Sequence, residues 1–268
     1  MHNFPFSIEY PKNFPYELFS KSSTIAKWAD SIDPSIHVLK LRIMSVDVFP
    51  GPKIGFIEAE ATYIEFIDDN IETKNQKEYK ISRFLISNGS SMILPIIKCK
   101  ETGEIFTILV RQPRIGCGKL MYEFPSGMIE PGSNFKAAAL QEFLEECNIK
   151  VDESDLVDLG KLFYDDTSKD LSSTINNIKT SKQNSCIFAT NHYITADSTS
   201  FFAIRMKMSQ TEISHIEGKC GGADPDEQIT QHIIKLRDVC FVSNDVSTLA
   251  LASVAYQLIK SGKMNFDF

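Results

Sequence analysis

Three glutamates, Glu142, Glu145 and Glu146, are spaced as i, i+3 and i+4 in a segment whose apolar pattern predicts a helix. On a helix this spacing places the carboxylates on one face, with Cβ atoms roughly 5–6 Å apart, where like charges repel. The repulsion gives the fold no benefit, but hard divalent cations such as Mg²⁺ bind carboxylate oxygens. A loop with two glycines, Gly127–Ser133, leads into the helix. The pattern therefore predicts metal-assisted phosphate chemistry, although the glutamates alone, without the preceding loop, are more often a solvated helix face.

The helix that carries the glutamates is predicted over residues 134–147, because apolar side chains recur there every four residues. Ser133 is a suitable N-cap for it. A last helix is predicted over residues 245–260 and ends before Gly262. Strands are predicted on both sides of the glutamate helix, at residues 91–98, 105–111, 119–124, 201–208 and 231–236. Because strands and helices interleave without a regular βαβ rhythm, we expect a mixed α/β sandwich.

The N-terminal region has a different pattern. Residues 14–32 predict one or two short helices, and alternating apolar side chains predict strands at residues 37–48 and 54–67. Pro50-Gly51 lies between these strands and is typical of a turn, so the two strands should form a hairpin. We therefore expect two domains, an N-terminal unit over residues 1–84 and a main domain over residues 85–268, with a polar insertion in the main domain at about 165–185.

Composition limits the classes of partner. The formal net charge is -7 and no basic stripe is present, which argues against nucleic acid or an anionic membrane surface as a partner. No apolar run reaches membrane-span length, and the first residues lack the charged and apolar regions of a signal peptide. The six cysteines form no CxxC pair, which predicts reduced, mostly packed thiols. We expect a soluble cytoplasmic protein.

The segment from Gly127 to Ile149 resembles the Nudix box, the loop and helix of pyrophosphate hydrolases. Gly127, Ile149 and the intervening residues Glu142, Phe143, Glu145 and Glu146 fall at the expected spacing. Three positions depart from the pattern, because Ser133 replaces a Glu, Gln141 an Arg and Asn148 a Gly. In the family the missing Glu and Arg form an ion pair between the loop and the helix, and losing both leaves no unpaired buried charge.

The resemblance extends upstream of the box. Leu109–Arg114 and Tyr122–Ile129 look like the strands of the nucleoside-diphosphate-sugar branch, which includes ADP-ribose and ADP-glucose pyrophosphatases, and most resemble the plant ADP-sugar diphosphatases. The resemblance implies an α+β fold, namely a Nudix α/β/α sandwich with a mixed sheet, plus a small N-terminal helix and β-hairpin unit. It also implies a homodimer built through that unit.

The resemblance further implies a site and a reaction. Arg114 and Arg111 would hold the substrate's phosphates, and Glu123 would support the metal shell or a substrate group. The cation would be Mg²⁺, with Mn²⁺ as a substitute, and the substrate a nucleoside diphosphate sugar such as ADP-ribose, ADP-glucose or UDP-glucose. Hydrolysis of its pyrophosphate bond would give a nucleoside monophosphate and a sugar phosphate. The implied metal ligands are Glu142, Glu145, Glu146 and a backbone carbonyl near Gly127.

Two questions stay open at the level of sequence. The branch has a pair of acids before the strand that begins near Phe201, whereas this chain has the single acid Asp197. The general base could then be Asp226 or Glu227 in the later glycine-rich loop, or a glutamate of the box helix itself, Glu142, with Glu146 completing the set of catalytic candidates. The box departures also favour an alternative function, a catalytically weakened Nudix-fold protein that binds nucleotide sugars or acts as a regulator.

Overall fold

The structure is a computed structural model that describes residues 4–49, 53–65, 79–130, 133–163, 187–190, 195–222 and 229–265. The chain divides into two compact units, residues 1–89 with 189–198, and residues 90–188 with 199–268. No helix in the described ranges has the length and apolar character needed to cross a membrane.

The first unit is a four-stranded sheet with two short helices. Its strand order is β1-β2-β3-β4, with β1 parallel to β2 and the other neighbours antiparallel. The predicted helices and the antiparallel pair β2–β3 are present, whereas the Pro50-Gly51 turn lies outside the described residues. The periodicity did not predict β1 and β4, because β1 is very short and β4 lies beside the polar stretch that follows β3. The elements are β1 (Ser7–Glu9), α1 (Tyr16–Lys21), α2 (Thr24–Asp30), β2 (Ile36–Phe49), β3 (Lys53–Glu65) and β4 (Lys80–Ile86).

The second unit contains a mixed sheet whose main path is β10-β11-β5-β6-β13-β12. Strands β7, β8 and β9 pair with β6, β5 and β11 outside that path, and β11 runs parallel to β5 while β6 runs antiparallel to both β5 and β13. Short 3₁₀ helices lie at Ile115–Cys117, Glu153–Asp155 and Leu236–Asp238. The other elements are β5 (Ser90–Cys99), β6 (Ile105–Arg114), β7 (Lys119–Glu123), β8 (Ser126–Met128), α3 (Phe135–Cys147), β9 (Leu156–Asp158), β10 (Ile187–Thr190), β11 (Asp197–Met208), α4 (Gln210–Ser214), β12 (Cys220–Gly221), β13 (Ile229–Lys235), α5 (Val239–Val242) and α6 (Val246–Lys260).

Each face of this sheet is covered by a helix. Successive residues of a strand point to opposite faces, so each central strand supplies side chains to two apolar clusters. The α3 cluster contains Ile93, Ile108, Val110, Ala139 and Phe143. The α6 cluster contains Leu94, Leu109, Phe124, Leu251 and Ala255. The predicted α/β/α sandwich with a mixed sheet is therefore confirmed.

The cysteines differ from the expectation. The described ones are all free, but only Cys99 and Cys147 are buried, whereas Cys117, Cys220 and Cys240 are exposed. The expectation that most thiols are packed is therefore wrong for the part of the chain that the structure describes.

Helix α3 begins at Phe135, one residue later than predicted. Asn134, not Ser133, is the N-cap, because the Asn134 side chain accepts a hydrogen bond from the Ala137 backbone N–H at 2.8 Å. The Ser133 hydroxyl instead lies 3.4 Å from the Asn134 carbonyl oxygen. The error has a simple cause: serine and asparagine are both good N-caps and adjacent in the chain, so composition could not choose between them.

The C-terminus of α3 explains one departure from the Nudix pattern. Asn148 adopts the left-handed conformation with φ 53°, and its N–H donates to the Leu144 carbonyl at 2.8 Å. Among the described residues it is the one non-glycine with positive φ. Asparagine tolerates this conformation better than most residues, so it serves where the family has glycine.

Two substitutions of Asn148 test whether the left-handed backbone conformation, rather than side-chain contacts, determines which residues this position tolerates. We expect Asn148→Ala to lower the free energy of unfolding by about 1 kcal/mol, because alanine in the left-handed region is strained by its Cβ. Asn148→Gly should match or exceed the wild-type stability, since glycine carries no such strain. Urea denaturation followed by circular dichroism measures both variants, and equal midpoints for the alanine and glycine variants would contradict the assignment.

Candidate active site

Gly127 and Glu142 are in direct contact. Gly127 is the middle residue of β8 and pairs with Ser91 of β5. A Cβ atom placed on Gly127 would lie 1.8 Å from Oε1 and 1.9 Å from Cδ of Glu142. No side chain fits in that space, so glycine at this position lets the Glu142 carboxylate lie against the strand. The position of the Glu142 carboxylate therefore requires glycine at residue 127, whether or not the Gly127 carbonyl oxygen binds a metal.

Glu146 is the buried member of the acidic trio, with 4% of its surface exposed. The Ser126 backbone N–H donates to its Oε2 at 3.0 Å. Burial raises the pKa of Glu146 well above its ordinary value, and the neighbouring charge of Glu142 raises it further; the Ser126 hydrogen bond and the Arg114 charge oppose this shift, while Glu123 adds to it. A buried carboxylate beside two other acids is stabilised by a proton or by a cation.

Glu145 has a different environment. Its side chain is half-buried, and its Oε1 accepts a hydrogen bond from Gln141 Nε2 at 2.9 Å. Gln141 occupies the position at which the family has arginine. Its side chain donates to Glu145, one turn further along the helix. This hydrogen bond lies within α3, so it does not join the loop to the helix as the family's ion pair does.

Arg114 and Glu123 form an ion pair beside the trio. Arg114 Nε lies 2.9 Å from Glu123 Oε1, and Arg114 Nη2 lies 2.5 Å from Glu123 Oε2. The Glu123 side chain is 6% exposed and that of Arg114 is 43% exposed. The bidentate contact holds the guanidinium at the edge of the site and raises the pKa of Arg114. The N–H groups on Nη1 lie outside this pair and can donate to a phosphate.

Arg111 lies on the other face of the sheet. Strands β6 and β7 pair Val110 with Glu123 and Arg111 with Tyr122. Glu123 points toward the acidic helix, so Arg111 and Tyr122, one residue away in each strand, point to the opposite face. The Arg111 guanidinium carbon lies 6.0 Å from the centroid of the Tyr122 ring. The contact of Arg111 with the substrate's phosphates stays a prediction, and the location of Arg111 on the face opposite the acidic helix does not support it.

Gln231 and Gly221 hold Glu146 in place. Neither residue was assigned to the site from the sequence. Gln231 of β13 is fully buried and donates from Nε2 to the Glu146 carbonyl oxygen at 2.9 Å. A Cβ atom on Gly221 would lie 2.0 Å from the same oxygen, and the Gly222 N–H donates to the Glu145 carbonyl at 2.9 Å. The Gly221-Gly222 pair is the sequence signal that could have indicated this close approach.

The Gly221 contact predicts a stability effect. We expect Gly221→Ala to lower the free energy of unfolding by about 1–3 kcal/mol, because the new methyl group meets backbone that cannot rotate away. Gly116→Ala is the matched control, since a Cβ there has no heavy atom within 4 Å. Chemical denaturation compares the two variants. An equal effect of both substitutions would show that α3 and β12 do not pack as described.

Of the candidate general bases, Glu142 and Glu146 lie on α3 within the described residues. Asp226 and Glu227 lie outside the described residues, as does the Asp197 side chain. Both flanks of the loop are described: Gly222 contacts α3 through Glu145, and Ile229 is buried in the α3 cluster. The role of Asp226 or Glu227 as general base stays a prediction.

The acidic side chains fit a divalent cation by their chemistry. Within the described ranges, no three His, Cys, Asp or Glu side chains are already gathered as a metal-binding group. However, Glu142 and Glu146 offer the hard oxygen ligands that Mg²⁺ prefers, and their mutual repulsion disfavours the ionised pair without a cation. The Ser91 hydroxyl, opposite Gly127 in the sheet, is fully buried and has no hydrogen-bond partner among the described residues. Such an orphan hydroxyl can bind a water molecule.

Comparisons with known proteins agree with this geometry. Residues 93–188 match the family described as NUDIX domain. The chain is 28% identical to Nudix hydrolase 14, chloroplastic, of Arabidopsis thaliana over 149 residues, which is 55% of this chain and 43% of that protein, so the match spans less than half of the relative. A crystal structure of an ADP compounds hydrolase superposes on 87% of this chain and 100% of that one, with a TM-score of 0.52 and 11% identity, which shows a shared fold. Residues 93–188 of this protein are therefore similar to a NUDIX domain.

Proposed function

We propose that this protein is a Nudix pyrophosphohydrolase that cleaves the pyrophosphate bond of a nucleoside diphosphate sugar, such as ADP-ribose, ADP-glucose or UDP-glucose. The products are a nucleoside monophosphate and a sugar phosphate. The observation that carries the proposal is the buried Glu146 beside Glu142, which lies against Gly127 at the spacing of a Nudix box. The names of the plant relative and of the structural neighbour, both hydrolases, support it.

Each residue has a role in the proposed reaction. Glu142 and Glu146, with Glu145 at the rim, hold Mg²⁺ or Mn²⁺, which polarises a phosphate and lowers the pKa of a bound water when present. Arg114 donates from Nη1 to a phosphate oxygen, and Glu123 fixes the direction of the guanidinium. Glu142 is one candidate to take the proton of the attacking water, with Asp226 and Glu227 of the glycine-rich loop as the others, because a carboxylate can act as a general base.

A screen of nucleoside diphosphate compounds tests the proposal. Release of the monophosphate, followed by a phosphate-coupled assay with Mg²⁺ or Mn²⁺, should show turnover of at least one nucleoside diphosphate sugar. Glu145→Gln should also reduce this turnover. The wild-type protein at high concentration must turn over some nucleotide sugar, and a complete absence of product across the screen would exclude the proposed activity.

A second candidate function follows from Ser133 and Gln141, which stand where the family has its loop–helix ion pair. Without the loop–helix ion pair, the orientation of the glutamates depends on weaker contacts, and a loss of about 10–100-fold in metal affinity or rate is the scale of such changes. The protein would then bind a nucleotide sugar without efficient hydrolysis. Calorimetry with recovery of the ligand separates the two functions, because the binder returns the ligand unchanged.

The homodimer is a proposal that rests on the resemblance, and the cytoplasmic location is a proposal that rests on the unpaired pattern of the cysteines. A homodimer through the N-terminal unit predicts twice the monomer mass in light scattering, and loss of this mass when residues 1–84 are removed. Fluorescence microscopy of the full-length protein tests the location.

A further inference from the structure

Three polar side chains form a hydrogen-bonded chain at β13. Glu217 Oε1 lies 2.9 Å from His232 Nδ1, and His232 Nε2 lies 3.2 Å from Thr230 Oγ1. We call this set of three residues the β13 relay. Thr230 and His232 are two positions apart in one strand, so their side chains share a face. Thr230 pairs with Arg111 of β6, which places both on the sheet face opposite α3.

The Glu217 carboxylate fixes the tautomer of His232. An ionised carboxylate only accepts hydrogen bonds, so the proton of the neutral imidazole lies on Nδ1 and Nε2 remains as an acceptor. The Thr230 hydroxyl therefore donates to Nε2. Glu217 is itself held in place, because its Oε2 accepts a hydrogen bond from the Ile233 backbone N–H at 2.7 Å. An acid that orients a histidine, and a histidine that can take a proton from a hydroxyl, are the parts of an activated nucleophile.

Arg111 supplies a cation beside this hydroxyl. Directly paired residues of antiparallel strands have Cβ atoms roughly 4.5–5.5 Å apart, so Arg111 and Thr230 are neighbours. In the part of the chain that the structure describes, the Arg111 guanidinium forms no salt bridge with a carboxylate. The Tyr122 ring lies 6.0 Å from the Arg111 guanidinium carbon and 5.2 Å from the His232 ring. An arginine with free donors can stabilise negative charge that develops on an oxygen beside the nucleophile.

The relay is accessible to a reactant. Thr230 is half-buried, and the His232 side chain is 24% exposed. On the side away from Arg111, Thr230 pairs with Cys220 of the two-residue strand β12, and Cys220 is exposed. The Thr230 hydroxyl therefore lies between a cation and an open strand edge, and the sheet separates it from the acidic side chains of α3.

We propose that the β13 relay is a second reactive site, in which Thr230 is the nucleophile for acyl transfer from carboxylic esters. Thr230 Oγ1 forms a bond to the carbonyl carbon, its proton passes to His232 Nε2, and Arg111 donates to the carbonyl oxygen as that oxygen becomes negative. Glu217 stabilises the imidazolium that forms. The bond to the leaving alkoxide then breaks, and the alkoxide takes the proton from His232.

Water completes the reaction. His232 takes a proton from a water molecule that attacks the acyl group on Thr230, and returns this proton to Oγ1 as the carboxylic acid leaves. The net change is ester plus water to acid plus alcohol, so the site is regenerated. No step uses the divalent cation of the α3 site, and the proposal therefore does not depend on the proposed pyrophosphatase activity.

A fluorophosphonate probe tests the nucleophile, because the bond from Oγ1 to phosphorus that forms as fluoride leaves is stable. With the full-length protein and EDTA present, peptide mass spectrometry should locate the adduct on Thr230. Thr230→Ser should keep the adduct and Thr230→Val should lack it, whereas His232→Gln should slow its formation by about 100-fold or more. Thr211→Val and His215→Gln are the matched controls, since both residues are exposed, at α4 and its C-cap, outside the relay.

Turnover of p-nitrophenyl acetate, followed by absorbance with EDTA present, tests the full cycle. The wild type should hydrolyse this ester, and Arg111→Gln should lower the rate by about 100-fold. The proposal is overturned if no adduct forms on Thr230, if His232→Gln and His215→Gln are labelled at equal rates, or if Thr230→Val hydrolyses the ester as fast as the wild type. If His232→Gln does not fold, the position of the adduct and the comparison of Thr230→Ser with Thr230→Val still decide the outcome.

Discussion

Glu146→Gln is expected to lower kcat by about 100- to 1,000-fold, while the variant stays folded. A metal ligand supplies several kcal/mol of transition-state stabilisation, and each 1.36 kcal/mol is a tenfold change in rate. The fold should tolerate the change because glutamine keeps the shape and can still accept the Ser126 hydrogen bond. Steady-state kinetics on a substrate found in the screen, together with Mn²⁺ calorimetry, measures the loss of rate and of metal affinity.

The same substitution has a signed effect on stability. Burial raises the pKa of the Glu146 carboxyl in the folded protein. The free energy of unfolding therefore falls as the pH rises above the pKa that this carboxyl has in the unfolded chain. The neutral glutamine removes this cost, so metal-free Glu146→Gln should be at least as stable as wild type at neutral pH. The stability difference should shrink toward acid, where the wild-type carboxyl is protonated as well.

A control substitution shows whether the loss of activity depends on the location of Glu146 or only on the loss of one negative charge. Glu153→Gln removes the same charge from an exposed 3₁₀ turn outside α3 and should leave kcat and metal affinity unchanged. Wild-type kcat in Glu146→Gln would rule out Glu146 as a metal ligand. Equal losses in Glu146→Gln and Glu153→Gln would point to net charge as the cause.

Gly127→Ala is the second substitution with a large expected effect. The new Cβ would lie 1.8 Å from Glu142 Oε1, so the carboxylate must leave its place against β8. Because the obstructed atoms are the end of a flexible side chain, the fold should survive with a small loss of stability. We expect kcat/KM to fall by about 10- to 100-fold, the scale for misoriented metal ligands. Gly116→Ala, at a position with open space, should leave kcat/KM unchanged.

A double-mutant cycle shows whether Gly127 acts through Glu142. In a Glu142→Ala background the clash is absent, so adding Gly127→Ala should cost little further activity or stability. The coupling between the two sites should therefore be nearly as large as the single-mutant effect. Additive losses would mean that Gly127 contributes through its own backbone and not by admitting the carboxylate.

The placement of the two arginines affects how variants of this chain should be interpreted. Arg114 faces the acidic helix and pairs with Glu123, whereas Arg111 faces Tyr122 on the other side of the sheet. A loss of substrate affinity in an Arg114 variant would include the effect of leaving Glu123 buried without its partner. Arg114→Lys keeps the charge but loses the bidentate contact, and so separates charge from geometry.

The amino-acid sequence by itself determined the features that depend on local pattern. Helical periodicity located α3 and α6 to within a residue, alternation located the main strands, and the spacing of Gly127 to Glu146 predicted the similarity to a NUDIX domain. Asn148 takes the place of a box glycine in the sequence, and it adopts the left-handed conformation that asparagine tolerates better than most residues. These features depend on neighbours within a few positions along the chain.

Only the tertiary structure decided which side chains share a face and which residues meet across the sheet. Arg111 and Arg114 look equivalent in sequence, but the pairing of β6 with β7 sets which of them points toward Glu146, and a slip of one residue would exchange their faces. The contact of Gln231 with Glu146 joins residues 85 positions apart. No local pattern encodes such a contact, because it arises when two separately formed elements pack against each other.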